Sequence, residues 1–311
     1  MWASVPFLRL DGRAPHWLKS ASLATLTRVA WELSRQPRTL LSLPKGAQAV
    51  AAEVSRGLLR RFEERPLESA TVGGLRLFFN PNDPGLVGHS IAARTYEIPV
   101  TQVATRVIRK GDTVLDIGAN IGYYTLLAAH LTTSTGRVVG FEPHPQNIQT
   151  LARSVEYNHL DWVRAEPVVV SDTVGYETLY VSDDASLTDQ HSIVRHVGSS
   201  GIRLPSTTLD DYLQAQGLSS VRFLKVDVEG AEPKVLRGAR RAIAARIIDC
   251  MVVEWNPEAW EGEADLFREL ASVYDVYPML HDGIGLVPVG VGDIPPTLAN
   301  LLLLRRGSDL S

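Results

Sequence analysis

The stretch "VLDIGANIGYYT", residues 114–125, decides the fold because it joins a strand-like run to a helical pattern through a very short turn. The run "VLDI" is apolar apart from Asp116, and the turn contains Gly118, Asn120 and Gly122. Glycine has no Cβ, so a bound group can approach the main chain closely at such a turn. The stretch therefore predicts a strand–turn–helix unit that binds a nucleotide beyond the end of the strand.

The chain from residue 112 onward repeats this alternation of strand and helix. The strand-like runs are mostly apolar, as expected for parallel strands that helices cover on both faces. Repeated units with right-handed crossovers predict an α/β fold with a doubly wound, mostly parallel sheet. The last two runs follow each other without a helix, which predicts antiparallel pairing at one edge. The seven runs are "TVLDI", "RVVGFE", "WVRAEPVVV", "VRFLKVD", "IIDCMVVE", "VYDVYPML" and "LANLLLLRR".

The composition indicates a folded protein with two parts. Of the 311 residues, 45% are hydrophobic and 21% are charged, which is ordinary for a globular chain. We expect a helical cap or accessory region over residues 1–70 and the main domain over residues 71–311, which opens with a strand and a turn at 71–85. Residues 1–70 carry a net charge of +5 and the remainder −9, so the main domain does not predict nucleic-acid binding.

Location and partners follow from less specific signals. The single cysteine, Cys250, lies in an apolar run and suits a reducing compartment. No stretch approaches the roughly 18 apolar residues of a membrane span, and the N-terminus lacks the order of a signal peptide. We therefore expect a cytoplasmic protein. Peripheral membrane contact through residues 15–64 and a homodimer both stay open.

Five of the strand-like runs finish on or beside an acid. The carboxyl ends of parallel strands lie along one rim of the sheet, where open α/β folds bind ligands. Several carboxylates on that rim would repel a polyanion such as a diphosphate. The acids at the strand ends are Asp116, Glu142, Asp172, Asp227 and Glu254.

Phosphate ligands fit this rim poorly. A dinucleotide site needs the pattern G-x-G-x-x-G, but Asn120 stands at its second glycine and Asp116 would face the pyrophosphate. A P-loop needs a lysine followed by serine or threonine, and the turn has neither. S-adenosylmethionine has no phosphate and two cationic centres, and one charge pair at about 4 Å is worth roughly 4 kcal/mol at an effective dielectric near 20. Glu142 would then accept hydrogen bonds from both ribose hydroxyls.

Four segments, "VLDIGANIGYYT", "GFEPHPQN", "TTLDDYL" and "FLKVDVEGAEPKVLRGA", resemble in order and spacing the FkbM-type S-adenosylmethionine-dependent methyltransferases. The resemblance covers about residues 92–260. It implies the class I methyltransferase fold, which is Rossmann-like, and O-methylation of a hydroxyl on a sugar, glycolipid or polyketide-type molecule. It also implies that the cofactor is held by Asp116, Gly118, Asn120, Gly122, Glu142 and Asp172, with Tyr96 and Glu97 reaching the pocket from the N-terminal side.

Methyl transfer to an alkyl hydroxyl needs an in-line approach and a group that removes the proton. Asp227, Glu229 or a loop histidine, His191, could take the proton directly. In a second mechanism, which we do not favour, Asp227 and Glu254 hold a divalent metal that lowers the pKa of the hydroxyl.

Several residues also have plainer interpretations. Glu229 and Glu232 could serve only as charges at the start of a helix predicted at about 231–243, worth roughly 0.3–1 kcal/mol. Lys225 could simply neutralise nearby acids. The glycines could serve only the turn, and Ser-Asp at 171–172 is also a common turn pair.

The polar segment 182–205 is too long for a plain connection and predicts a binding loop or lid. Its candidates for acceptor contact are Ser186, His191, Arg195 and His196.

Three other functions compete with methyl transfer to a small molecule. An Asn-Pro pair at 256–257 is also found in enzymes that methylate bases, but there it follows the fourth strand, a place that "DVEG" occupies here. A scaffold that kept the fold without turnover is a second alternative. A nicotinamide-dependent oxidoreductase is the third, and both Asn120 and Asp116 disfavour it.

Overall fold

The computed structural model describes residues 67–80, 87–92, 96–181, 193–194, 200–280, 283–284, 288–290 and 299–307. The predicted helical cap falls almost entirely on residues 1–66, which lie outside the described residues. The division after residue 70 therefore stays a prediction. Among the described helices, none has the length and apolar character that crossing a bilayer requires.

The strands of the described chain are β1 (Glu68–Val72), β2 (Leu75–Phe79), β3 (Thr113–Ile117), β4 (Arg137–Phe141), β5 (Val163–Glu166), β6 (Val169–Val170), β7 (Gly175–Val181), β8 (Ser200–Thr207), β9 (Val221–Val226), β10 (Ile248–Trp255), β11 (Tyr274–Leu280), β12 (Gly283–Ile284) and β13 (Ala299–Arg305). The helices are α1 (Val87–Ala92), α2 (Ile98–Val107), α3 (Tyr123–Thr132), α4 (Pro145–Tyr157), α5 (Leu209–Ala215), α6 (Glu232–Arg237), α7 (Arg240–Ala244) and α8 (Ala264–Val273), with a 3-10 turn at Thr133–Thr135.

The main sheet has the order β12-β11-β13-β10-β9-β3-β4-β5. The five strands from β10 to β5 are parallel, whereas β13 runs antiparallel to both β10 and β11. The predicted mostly parallel, seven-stranded sheet with an antiparallel edge is therefore confirmed, and the two-residue β12 extends that edge. The strand order reverses between β3 and β9, which is where a doubly wound sheet opens a crevice beyond its carboxyl ends.

Burial explains why the central runs are so apolar. Four of the six residues of β9 and four of the eight of β10 form uninterrupted buried stretches, because helices cover both faces of the sheet. In register, Asp116 on β3 lies beside Lys225 on β9, so two charged side chains enter this apolar layer together. Cys250 is buried in the same layer as a free thiol.

A second sheet, of order β6-β8-β7, was not predicted. The predicted third run, 162–170, is interrupted at Pro167, which has no N–H to donate to a ladder. Its second half, β6, pairs instead with β8, and β8 lies in the segment predicted as part of the long loop. Gly201 and Pro205 obscured the strand pattern of β8, although Leu204 is buried there.

Two further segments differ from the prediction. The strand expected from residue 71 is a hairpin of β1 and β2, which is fastened to α4 by the bond that the Phe78 N–H donates to Ser154 Oγ, 3.0 Å away. The single helix expected at about 231–243 is divided into α6 and α7. The division occurs at Gly238, where a Cβ would overlap the Ser171 carbonyl oxygen, so this close approach leaves room only for glycine.

Candidate active site

A cavity of about 340 Å³ lies at the carboxyl ends of β3, β4, β9 and β10. This volume falls within the roughly 300–1,000 Å³ of small-molecule sites. Its described lining contains one lysine, Lys225, and six carboxyl side chains. The acids are Glu97, Asp116, Glu142, Asp227, Glu229 and Glu254. The prediction that the acids of neighbouring strand ends meet on one rim thus holds for four of the five strand-end acids.

Asp116 is a buried residue of the cavity lining. Its side chain is 2% exposed, and its Oδ2 accepts a 2.7 Å hydrogen bond from Thr125 Oγ1 in α3. Burial raises the pKa of Asp116, against the opposing effects of Lys225 and Thr125. Asp116 Oδ1 is buried and has no hydrogen-bond partner among the described residues. A buried acceptor without a partner is costly, so a bound donor at this point would be favourable.

Packing within the protein requires glycine at both Gly118 and Gly122, in addition to the close approach of a ligand. A Cβ on Gly118 would overlap the carbonyl oxygen of Asp227, because the turn crosses directly over the end of β9. A Cβ on Gly122 would overlap Leu151 Cδ1 in α4. Gly118 lines the cavity, whereas Gly122 is not part of its described lining. The interpretation of Gly118 and Gly122 as residues of a tight turn is therefore correct for both, and only Gly118 also reaches the cavity.

Asn120 and Glu142 are joined by a backbone hydrogen bond. Asn120 has a left-handed φ of 50°, and its N–H donates to Glu142 Oε2 at 2.8 Å. The His144 N–H donates to the other oxygen, Oε1, also at 2.8 Å. Burial raises the pKa of Glu142 to about 7 despite these two bonds. The Asn120 N–H is thus committed to a carboxylate and is not available to a pyrophosphate, which agrees with the exclusion of a dinucleotide.

Glu97 reaches the cavity through contacts that the sequence did not reveal. It has a left-handed φ of 36° just before α2, and the Tyr124 hydroxyl donates to its Oε2 at 2.9 Å. Burial raises the pKa of Glu97, and Lys225 opposes that rise. The rings of Tyr96 and Tyr123 pack edge to face with centroids 5.0 Å apart and complete this wall. Tyr124 belongs to a buried helical stripe, so its sequence pattern indicated the core and not a polar contact.

Lys225 is the counter-ion of the acids. Its Nζ lies 2.6 Å from Asp227 Oδ2 and 4.9 Å from the centre of the Tyr124 ring. Burial tends to lower the pKa of Lys225, but Asp227 and Glu97 outweigh it and leave the pKa well above its ordinary value. The ammonium therefore stays charged and offsets part of the negative field.

Asp227, Glu229 and Glu254 lie close enough together to offer three oxygen ligands within 4.8 Å of one another. Two features oppose a divalent cation there. Asp227 already binds Lys225. Burial and then the neighbouring Asp227, Glu232 and Glu229 raise the pKa of Glu254 to about 10, so a proton competes for it at neutral pH. Both features weaken this cluster as a site for a divalent cation.

Other predicted site residues lie elsewhere. Asp172 is not part of the described cavity lining; it accepts from Arg237 Nε at 3.2 Å and from Ser171 Oγ at 3.3 Å. His191 lies outside the described residues, as do Ser186, Arg195 and His196. An apolar wall of the cavity was missed, because most of its members were assigned to strands alone and Leu179 was given no role. It includes Phe141, Val168, Val169, Val170 and Leu179.

The cavity fits S-adenosylmethionine by the chemistry of its donors and acceptors. Two buried oxygens that lack a described partner, Asp116 Oδ1 and Asn120 Oδ1, belong to residues of the lining and can accept from an ammonium. Glu142 keeps lone pairs for hydroxyl donors, and the apolar wall suits the face of a base. The excess of carboxyl groups favours a cation.

Comparison with known proteins agrees with this geometry. The family profile "Methyltransferase FkbM domain" matches residues 116–277. The "31-O-demethyl-FK506 methyltransferase FkbM" of Streptomyces tacrolimicus is 30% identical over 168 residues, which cover 45% of this chain and 64% of that protein. "Methyltransferase 1" of Beauveria bassiana is 32% identical over 144 residues, which cover 40% of this chain and 57% of that protein. The chain thus spans about 60% of the length of these relatives.

Among solved structures, a Pyrococcus abyssi tRNA (uracil-54, C5)-methyltransferase in complex with S-adenosyl-L-homocysteine aligns with a TM-score of 0.41 and 14% identity. The alignment covers 77% of this chain and 44% of that one, and at this TM-score it says nothing about the acceptor. The family match covers more than half of the chain and includes the turn, the strand-end acids and the "DVEGAE" segment. The chain therefore belongs to the FkbM methyltransferase family, and its cofactor is S-adenosylmethionine.

Proposed function

We propose that the protein transfers the methyl group of S-adenosylmethionine to a hydroxyl oxygen of a small molecule, such as a sugar, a glycolipid or a polyketide-type product. The observation that carries this proposal is the position of Asp227 and Glu229. Their carboxyl groups line the same cavity as Asp116 and Glu142, so a proton acceptor and the proposed cofactor contacts face one space. An alkyl hydroxyl is the acceptor that needs such a group.

The proposed cofactor contacts divide by chemistry. Asp116, Asn120 and Glu97 offer oxygen acceptors to the ammonium end, and Glu142 accepts the ribose hydroxyls. Gly118 lets the chain pass close to the bound molecule. Asp172 and Gly122 stay in the proposal only as residues that support the pocket, through Arg237 and Leu151 respectively.

Bound S-adenosylmethionine supplies an activated methyl group and a neutral leaving group. The chain's own residues then have two tasks, which are to align the acceptor oxygen with that methyl group and to take its proton. Asp227 or Glu229 takes the proton as the new C–O bond forms. Lys225 Nζ lies 2.6 Å from Asp227 Oδ2 and balances the charge of that carboxylate. His191 stays an alternative base on the segment outside the described residues.

A neighbouring cavity supports a polar acceptor. It is also about 340 Å³ in volume and shares the turn at 228–230 with the first, since Glu229 lines one cavity and Gly230 the other. Lys234, Asn256 and Glu258 belong to its described lining. These groups can donate to and accept from a hydroxyl-rich molecule, which favours a sugar over an apolar polyketide.

The relative from Streptomyces tacrolimicus supports the choice of oxygen as the acceptor atom, because its name specifies a 31-O-demethyl compound. The location of the protein in the cell belongs to the same proposal. The single buried Cys250 suits a reducing compartment, so we infer a cytoplasmic enzyme. The net charge of −9 over residues 71–311 supports a partner other than nucleic acid.

The decisive experiment incubates the protein with methyl-labelled S-adenosylmethionine and a panel of sugars, glycolipids and polyketides, with and without EDTA. We expect label on an oxygen of a hydroxyl-rich acceptor and no loss of rate in EDTA. Tight binding of the cofactor without label transfer to any compound would favour a scaffold. Loss of the label in EDTA, restored by Mg²⁺, would replace direct proton removal by the metal mechanism at Asp227 and Glu254.

A further inference from the structure

Glu232 is fully buried, yet it is not part of the described lining of the cavity. It is the first residue of α6, and its Oε1 accepts two backbone hydrogen bonds. One comes from the Val228 N–H at 2.8 Å and the other from the Gly230 N–H at 3.2 Å. A single carboxyl oxygen thus satisfies two donors of the turn that follows β9.

This turn carries both proposed bases. Asp227 begins it, and its N–H donates to the Ile117 carbonyl at 3.0 Å, which ties the turn to β3. Glu229 has a left-handed φ of 55°, and Gly230 follows with a φ of 95°. A non-glycine residue in the left-handed region is unfavourable and persists only where its surroundings enforce it. The two bonds to Glu232 lie on either side of Glu229 and enforce its conformation.

The Glu232 carboxyl also acts on β10, because its charge is one of the causes that raise the pKa of Glu254. Glu232 Oε2 is buried and has no hydrogen-bond partner among the described residues. Through its hydrogen bonds Glu232 therefore links the turn after β9 to the start of α6.

We propose that Glu232 is a positioning residue, whose side-chain oxygens fold the turn at 228–230 and thereby set Asp227 and Glu229 on the cavity. This inference rests on the proposed function for its catalytic consequence, although the folding of the turn does not depend on it. It differs from a role as negative charge at a helix N-terminus. Helix α6 has only six residues, and the two N–H groups that Glu232 binds precede the helix.

Two substitutions separate the effect of the length of the Glu232 side chain from the effect of its charge. Glu232→Gln keeps a side-chain oxygen at the same distance and loses the charge. Glu232→Asp keeps the charge and loses the reach of one methylene. Burial raises the pKa of Glu232, so a neutral amide also avoids a desolvation cost.

We expect Glu232→Gln to retain kcat within about threefold and Glu232→Asp to lose at least about tenfold, the equivalent of one or two hydrogen bonds. The dissociation constant for S-adenosylmethionine should stay within about threefold in both variants, because Glu232 does not line the cavity. Asp265→Asn is the matched control. Asp265 lies in the first turn of α8 with an 85% exposed side chain, so its loss should change neither quantity.

Amide hydrogen exchange at Val228 and Gly230 tests the same inference without turnover. Exchange should speed up at both amides in Glu232→Asp and stay slow in Glu232→Gln. If the wild-type protein transfers no methyl group, the proposed function fails while the exchange result still decides the role of Glu232. Tolerance of Asp with failure of Gln, equal tolerance of both, or equal loss in both would each overturn the inference. If Glu232→Asp does not fold, Glu232→Gln still tests the inference, because the inference requires that variant to fold and to keep its activity.

Discussion

Lys225 Nζ lies 2.6 Å from Asp227 Oδ2, and this ion pair stands where β9 ends on the cavity. Lys225 is 2% exposed and its ammonium also faces Glu97 and Asp116. A buried charge without a partner is far more costly than a buried pair. The positive charge of Lys225 thus allows several carboxyl groups to lie together at one buried rim.

Loss of this lysine should destabilise the fold. We expect Lys225→Met to lower the free energy of unfolding by about 3 kcal/mol, at the low end for breaking a buried pair because the Asp227 side chain is 22% exposed. Denaturant unfolding measures the change.

The double variant Lys225→Met/Asp227→Asn is the control for that experiment. It should recover most of the lost stability, because neither partner is then left as a lone charge. It should not recover methyl transfer. An equal loss of stability in both variants would mean that Lys225 acts by packing alone and not as a counter-ion.

Gly118 is expected to tolerate no side chain. In Gly118→Ala the new Cβ would overlap the Asp227 carbonyl oxygen, so the turn must move away from β9. We expect the dissociation constant for S-adenosylmethionine to rise at least about tenfold. Isothermal titration calorimetry measures the change.

Gly217→Ala separates this overlap from the strain of a left-handed backbone. Gly217 has a φ of 63° and no atom within 4 Å of an added Cβ. It should lose only about 1 kcal/mol of stability from strain and keep full cofactor affinity. Similar affinity losses in the two variants would contradict the packing role of Gly118.

Glu142 should make the stability of the ligand-free protein depend on pH. Its pKa is raised from an ordinary 4.5 to about 7, mainly by burial, so the folded protein holds this proton more tightly than the unfolded chain. The stabilisation from Glu142 is therefore complete below pH 4.5 and is lost as the pH rises through 7. The shift corresponds to about 3 kcal/mol.

The variant Glu142→Gln has no such proton and isolates the effect from other titrating groups. Between pH 5 and pH 8, the wild type should lose about 2.5 kcal/mol of unfolding free energy relative to Glu142→Gln, because at pH 5 part of the full effect is already lost. Urea unfolding at both pH values measures this difference. A constant difference, or one of opposite sign, would show that Glu142 is ionised in the folded protein at both pH values.

Parts of the site were predictable because parallel topology leaves little choice. Strands that run in one direction bring their ends to one rim, so Asp116, Glu142, Asp227 and Glu254 had to lie near each other once the sheet was recognised. Asp172 failed to join them because Pro167 diverts the chain from β5 into another sheet before the acid is reached.

Contacts between distant parts of the chain were not predictable in the same way. Gly118 must be glycine because of the carbonyl of Asp227, a residue more than 100 positions away. Tyr124 has the spacing of a core residue, and only the fold shows that its hydroxyl reaches Glu97. Strand β8 has a Gly and a Pro within eight residues, which concealed its alternation. Periodicity in the sequence shows which face of a helix or strand is buried and where that element ends. It does not show which atom of a distant residue restricts the side chain at a given position.

The identity of the proton acceptor can be decided by comparing two neutralising substitutions on the same rim. Glu254 has a pKa of about 10 and is already neutral at pH 7, so Glu254→Gln replaces a neutral acid by a neutral amide of the same shape. We expect its kcat to stay within about threefold of wild type. Asp227→Asn should instead lower kcat by about 10²–10⁴ and leave the dissociation constant for S-adenosylmethionine nearly unchanged.

The two variants also separate direct proton removal from a metal mechanism, since a cation held by Asp227, Glu229 and Glu254 would need each carboxylate. Single-turnover kinetics at pH 7, with calorimetry for the cofactor, measures both quantities. A large loss of kcat in Glu254→Gln would favour the metal, because a neutral amide is a poorer ligand than a carboxylate. Equal losses of cofactor binding and turnover in Asp227→Asn would remove Asp227 from the chemistry and leave Glu229 as the remaining described base.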